Sequence, residues 1–150
     1  MKTILGQFSS VARPSLAPDP NTKGLLMSWT ATTPANRLRF ATSTDGVHWA
    51  EPSSSPLAEW SGSGPSMLAL GINNMPRYFV AWTGTDAHHS VNAQYTEGFP
   101  NWPVDNSKTT FDEWALGGPS IAYNGVYRQI VLGWTGTDPL HKLNIAMVGV

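Results

Sequence analysis

The pentapeptide Trp-Thr-Gly-Thr-Asp stands at residues 82–86 and again at 134–138, and a degraded copy, Trp29-Thr30-Ala31-Thr32-Thr33, precedes both. The three tryptophans are 53 and 52 residues apart, so the chain is three copies of one unit of about fifty residues. A period of that size belongs to repeat architectures, in which one unit cannot bury its apolar face alone and neighbours must stack.

More of the unit aligns around the anchor tryptophan. A Pro-Ser pair precedes it at Pro14-Ser15, Pro65-Ser66 and Pro119-Ser120. Ahead of each pair lies Leu5-Gly6-Gln7-Phe8, Leu57-Ala58-Glu59-Trp60 or Phe111-Asp112-Glu113-Trp114. After the anchor an apolar-polar alternation recurs, Leu38-Arg39-Phe40-Ala41, Val91-Asn92-Ala93-Gln94 and Leu143-Asn144-Ile145-Ala146. A turn and a tryptophan follow in two copies, ending at Trp49 and Trp102. Each unit thus reads as four strands: one after Pro-Ser, one ending in the anchor, one in the alternation, and one from Trp49 or Trp102 toward Leu57 or Phe111. The two-residue strand period puts Tyr78, Val80 and Trp82 on one face, and Ile130, Leu132 and Trp134 likewise. No stretch has a sustained 3.6-residue apolar period, so little or no helix is expected.

Charged residues are only 13% and the net charge is −1, with no basic run, so the electrostatic footprint of a nucleic-acid binder is missing. The 14 glycines and 12 prolines are spread along the chain, as short strands joined by turns require. No apolar stretch is long enough to cross a membrane, so no membrane insertion is expected. With no cysteine, disulfides and thiolate chemistry are excluded. Met1-Lys2-Thr3-Ile4-Leu5 opens like a signal peptide but reaches Gly6-Gln7 with no apolar region. The expectation is a soluble protein, cytoplasmic or released without such a signal.

The segment from Ser43 to Trp49, with Asp45 and Gly46 between, resembles the Asp-box turn of sialidase-like propellers, with one residue fewer between Asp and Gly. Thr96-Glu97-Gly98, with its longer gap to Trp102, matches loosely. The whole unit is similar to blades of bacterial β-propeller repeat proteins. The resemblance implies an all-β fold of three four-stranded blades of about 52 residues each, approximately 9–60, 61–114 and 115–150, in a single repeat domain over 1–150. The alternative is a β-trefoil, for which the unit is long. A ring needs about four to eight blades. Residues 1–8 align with the end of a fourth strand, so the expectation is a homodimer closing a six-bladed ring by strands crossing between chains. A longer propeller, or another number of chains, are the rival readings.

On one rim such a ring would carry Asp86, His89, Asp138 and His141 beside Glu59, Trp60, Glu113 and Trp114, with Asn92 and Asn144 following. Indoles can pack on the C–H face of a pyranose while Asp, Glu, His and Asn bond its hydroxyls. Propeller lectins resemble this plan, with shallow sites made effective by multivalency. A carbohydrate-binding, non-enzymatic protein is therefore expected, with no cofactor and no metal. A protein-interaction scaffold, or a fragment of a sialidase-like or glycoside-hydrolase-like propeller, are the alternatives. Against an enzyme, the arginines do not recur at one repeat position, Glu59 and Glu113 lie one unit apart, and no nucleophile elbow, P-loop or dinucleotide fingerprint occurs.

Structural roles compete for the same residues. Trp29, Trp82 and Trp134 read as core between units, Trp49 and Trp102 as turn supports. Asp86 and Asp138 have the alternative task of tying their turns through backbone N–H groups. Trp60 and Trp114 divide between packing and ligand platform. His88, His89 and His141 match no metal-ligand spacing and read as solvated loop.

Overall fold

In a computed structural model of the protein, residues 4–32, 35–52, 57–99 and 108–149 are described. They form ten strands: β1 (Ser15–Pro18), β2 (Leu25–Thr30), β3 (Leu38–Ser43), β4 (Ser66–Ile72), β5 (Met75–Thr83), β6 (Ser90–Thr96), β7 (Thr109–Trp114), β8 (Ser120–Asn124), β9 (Gln129–Thr135) and β10 (Leu143–Gly149). There is no helix among the described residues. The chain is all-β, in three small antiparallel sheets ordered β1-β2-β3, β4-β5-β6-β7 and β10-β9-β8. Each sheet is one sequence repeat, and the repeats share one register. The anchor tryptophans face the alternation segment on the same rung, Trp29 opposite Arg39, Trp82 opposite Asn92 and Trp134 opposite Asn144.

Among the described residues the expected fourth strand is seen in the second unit as β7, which pairs with β6 across an irregularity between Ser90 and Asn92. In the first unit the described residues of that segment make isolated bridges, Thr42 to Ala50 and Arg37 to Trp60. Thr33, Trp102 and residues 1–3 lie outside the described residues.

Strand alternation gives each sheet two apolar faces, and the sheets stack on them in chain order. Ala17, Leu26, Leu38 and Phe40 of the first sheet meet Met67, Ala69, Tyr78, Val80 and Trp82 of the second. The second sheet's other face, with Ala81 and Val91, meets Leu132 and Trp134 of the third. Burying each such large side chain contributes about 1.5–3 kcal/mol. The anchor tryptophans Trp82 and Trp134 are therefore core, as their strand position implies.

The Pro-Ser pairs acquire a physical reason here. Ser15 Oγ accepts the backbone N–H of Met67 at 2.9 Å, and Ser66 Oγ accepts that of Ile121 at 3.2 Å. Each serine ties its own first strand to the first strand of the next unit. The glycine before each of the later pairs is demanded by the same approach: a Cβ on Gly64 would lie 2.6 Å from the carbonyl oxygen of Arg13, and one on Gly118 would overlap that of Gly64. A further tie joins the first two sheets. The buried Tyr78 hydroxyl donates to the buried Asp19 carboxylate at 2.8 Å.

The segment before the first Pro-Ser pair shifts from its expected alignment. Val11, Gly62 and Leu116 each donate a backbone N–H to the threonine after the anchor tryptophan, Thr30, Thr83 and Thr135. Ser9 therefore stands where Trp60 and Trp114 stand, and Phe8 where Glu59 and Glu113 stand. The match of Gln7-Phe8 to Glu-Trp is corrected by one residue. Leu5 to Phe8 is a turn closed by Phe8 N–H to Leu5 O at 3.1 Å. Phe8 nevertheless packs on Trp29, ring centres 4.9 Å apart, as Phe111 packs on Trp134 at 6.2 Å.

Candidate functional site

The loop after each anchor strand is built to one plan. Gly84 N–H bonds Ser90 O at 2.8 Å, and Gly136 N–H bonds Lys142 O at 2.8 Å. Inside the loop, Asp86 Oδ1 accepts the N–H of His88 at 3.0 Å and of Ser90 at 3.2 Å. Asp138 accepts from Leu140 at 3.0 Å and Lys142 at 3.1 Å. Both aspartates tie their turns. Slight burial pushes the Asp86 carboxyl up, but the N–H groups of Ser90 and His88 and the Ser90 hydroxyl outweigh it, holding the group below the ordinary carboxylate range.

The histidines have a backbone task. His89 and His141 adopt φ of 52° and 50°, and Asn36, at the same position of the first unit, adopts 57°. The left-handed region is tolerated best by Gly, Asn, Asp and His. Exchange of Asn36 for histidine between copies therefore keeps a conformation. The asparagines brace strands. Buried Asn92 donates to Ser90 O at 2.9 Å and accepts the Thr110 hydroxyl at 2.7 Å. Asn144 repeats the first bond, to Lys142 O at 3.4 Å, and is half-exposed.

Glu59 and Trp60 are already engaged. Lys108 Nζ lies 2.7 Å from Glu59 Oε1 and 5.5 Å from the centre of the Trp82 ring, and the Arg37 guanidinium lies 5.9 Å from that of Trp60. The second copy differs. Glu113, Trp114, Asp138 and Asn144 come together with Asp112, Gly136 and Thr137 around a cleft of about 280 Å³. His88 stacks on Trp114 at 4.1 Å with planes 9° apart, and the indole stays 46% exposed.

Of the ten residues expected in a site, four thus share one cleft between the second and third sheets. Glu59, Trp60, Asp86, His89 and Asn92 belong to the preceding interface, and His141 serves its turn. Asp112, Thr137 and His88 were missed. Asp112, Glu113 and Trp114 all line the cleft, which regular strand alternation would not predict, and the register of β7 against β6 shifts at this point. The first unit has Ala58 at the place of Asp112.

A second cavity, of about 300 Å³, opens between the same two sheets and is walled mainly by Phe79, Val80, Tyr95, Ile121, Ile130 and Leu132. It contains none of the expected site residues. The corresponding space between the first and second sheets is filled by Phe99, whose ring lies 6.1 Å from Phe40 and 5.4 Å from Tyr78.

The turn from Ser43 to Trp49 is closed by its own side chains. Gly46 N–H bonds Ser43 Oγ at 2.8 Å, the N–H groups of Val47 and His48 bond Asp45 Oδ1 at 2.8 Å each, and Trp49 Nε1 bonds Gly46 O at 3.2 Å. The His48 ring 2.6 Å from Asp45, with those backbone N–H groups, holds the Asp45 carboxyl far below the ordinary range. Among the described residues no three His, Asp or Glu side chains gather to hold a metal ion. No protein-family model matches the chain, and no curated protein matches it.

Proposed function

We propose that this chain is a β-propeller repeat protein that binds carbohydrate without catalysis, in the cleft walled by Trp114, Glu113, Asp112, Asp138 and Asn144. The propeller reading is supported by meandering sheets stacked face to face in chain order, with β1 beside β4 and β4 beside β8, as blades gather their first strands around an axis. Among the described residues no strand of one unit pairs with a strand of another, as a trefoil barrel would need. The turn from Ser43 to Trp49 bonds itself as an Asp-box would.

The observation that carries the sugar reading is the convergence of a half-exposed indole with carboxylate and amide oxygens in one small cleft. His88 backs one face of Trp114 and fixes the ring, which leaves an apolar platform for the C–H face of a pyranose. The oxygens around it accept bonds from the hydroxyls. Binding without catalysis fits the same residues. Asp112 and Glu113 are neighbours on one strand, whereas glycoside cleavage needs two carboxyls flanking the bond, and Asp138 is held by backbone N–H groups.

The test is a glycan array followed by titration of the best ligand. Trp114→Ala should weaken binding at least about tenfold, or about 1.4 kcal/mol. Trp60→Ala, at the engaged copy, should leave it unchanged. Failure of the intact protein to bind any glycan, or equal binding by Trp114→Ala, would sink the proposal and favour the scaffold reading.

A further inference from the structure

The cavity between the second and third sheets has a filled counterpart one unit earlier. Between the first and second sheets three rings share the space: Phe40 from one wall, Tyr78 from the other, and Phe99 between them, 6.1 Å from Phe40 and 5.4 Å from Tyr78. The strand registers make Ala93 the equivalent of Phe40 and Ile130 the equivalent of Tyr78. Both wall rings are thus gone at the second interface, and both replacements line the cavity of about 300 Å³. The room is made by Ala93 and Ile130 themselves. Two rings are gained, Phe79 for Leu26 and Tyr95 for Thr42, but they lie against each other on one rung of the second sheet, centres 5.9 Å apart and planes 31° apart. They make one aromatic wall and do not fill the space. Ile121, Ile130 and Leu132 of the third sheet make the facing wall.

Protein interiors are close-packed and hold few voids larger than a water molecule. An apolar cavity of about 150 Å³ already takes up benzene. One polar group narrows the ligand further. Arg77 lines the cavity, and its guanidinium is held by Glu97, Nη2 to Oε1 at 3.1 Å. Its Nε–H is buried and has no hydrogen-bond partner among the described residues. A buried donor left without an acceptor is unfavourable, and an acceptor brought by a ligand relieves it. Glu97 already balances the Arg77 charge, so that acceptor need not be anionic.

We infer that this cavity is a second binding site, for a small uncharged molecule of one aromatic ring bearing an oxygen that accepts the Arg77 Nε–H. The ring packs on Phe79 and Tyr95, offset or edge-on as aromatic pairs prefer, and the facing isoleucines and Leu132 cover its other side. Phe79, Ile130 and Leu132 are buried and form the closed end, while the exposed Tyr95 and Thr109 stand at the opening. Entry therefore does not require the sheets to separate. The site shares no lining residue with the cleft at Trp114, and it stands whether or not that cleft binds sugar.

Phenol and toluene, near in shape and differing by the oxygen, are the probes. Methyl NMR should show saturable shifts of Ile121, Ile130 and Leu132 with either, and contacts from the probe's ring protons to those methyls. Arg77→Met should weaken phenol about tenfold more than it weakens toluene. Ala93→Phe puts back the ring that Phe40 supplies one unit earlier, and should stay folded and lose both probes. Ile130→Phe, which restores a ring on the other wall, is the second filling variant. Full probe binding by whichever of the two folds overturns the site. So does the absence of saturable shifts at these methyls up to the solubility of toluene. Ile130 and Leu132 methyls already in contact, in the free protein, with an aromatic ring other than Phe79 and Tyr95 overturn it as well, since the chain then fills the space itself. Equal weakening of phenol and toluene by Arg77→Met overturns the oxygen-bearing class.

Discussion

Replacing Tyr78 with phenylalanine removes a single oxygen from the most buried polar contact between the first two sheets. The hydroxyl donates to Asp19 Oδ1 at 2.8 Å, and both residues are at least 95% buried, at 2% and 5% exposure. The ring itself stays packed against Phe99 and within the apolar cluster, so Tyr78→Phe leaves no cavity. A hydrogen bond to a charged group contributes about 1.5–3 kcal/mol. The lower end applies here, about 1.5 kcal/mol, because Asn21 N–H at 2.9 Å and the Thr22 hydroxyl at 2.6 Å still hold the carboxylate. The loss should also depend on pH. Burial pushes the Asp19 carboxyl up, but the Thr22 hydroxyl, the Asn21 N–H and the Tyr78 hydroxyl together bring it below its ordinary value. A carboxyl depressed in the folded state stabilises fully above its unfolded pKa of about 3.9, and that contribution disappears as pH falls through the folded value. Urea unfolding followed by tryptophan fluorescence, at one protein concentration, should therefore show the full difference between wild type and Tyr78→Phe at pH 7 and a smaller one in strong acid. A difference below about 0.5 kcal/mol at pH 7, or one that does not shrink in acid, would refute the assignment of this bond as a charged tie between sheets.

Three further outcomes are expected. His89→Gly should leave thermal stability unchanged or raise it by up to about 1 kcal/mol, because glycine adopts φ of 52° freely, whereas His89→Val should lower it by at least as much; scanning calorimetry of both decides, and equal melting temperatures would remove the backbone role of the histidine. The Asp45 carboxyl, held down by His48 and the turn N–H groups, should keep the turn from Ser43 to Trp49 closed above about pH 4 and release it as pH falls through its folded value; carboxyl-carbon NMR reports this directly, and titration of Asp45 at the ordinary value would contradict it. Asp138→Ala should cost about 1 kcal/mol through its turn and weaken any glycan binding in the adjacent cleft, while Asp86→Ala should affect stability alone; melting curves and glycan titration on the same samples separate the two.

The strands were legible because the repeat supplies three readings of each element. The anchor at Trp82 and Trp134, with Val80 and Leu132 two residues before it, fixes which face is core, and the observed registers follow. What the pattern concealed were contacts that repeats make with one another. Nothing local to Ser15 or Ser66 announces that its hydroxyl serves the next unit's backbone, or that Gly64 and Gly118 are small because a neighbouring carbonyl passes close. The candidate site was half legible for the same reason. Glu-Trp recurs in two copies, yet Lys108, far off in sequence, engages Glu59 and leaves Glu113 in an open cleft. The recurrence of histidine at positions 89 and 141 looked like chemistry, but the value of φ that it serves is invisible in one dimension.

Phe99 gives the stack a property that the repeat boundaries hide. Its ring comes from the second unit but fills the gap between the first and second sheets, while Ser15 reaches forward from the first unit to hold the second. The first and second units are thus fastened by exchanges in both directions along the chain. A unit excised at its sequence boundary would take one fastening with it and leave the other behind. The transplantable module of this protein, for grafting or for building longer arrays, is consequently the seam between two sheets and not the sheet itself.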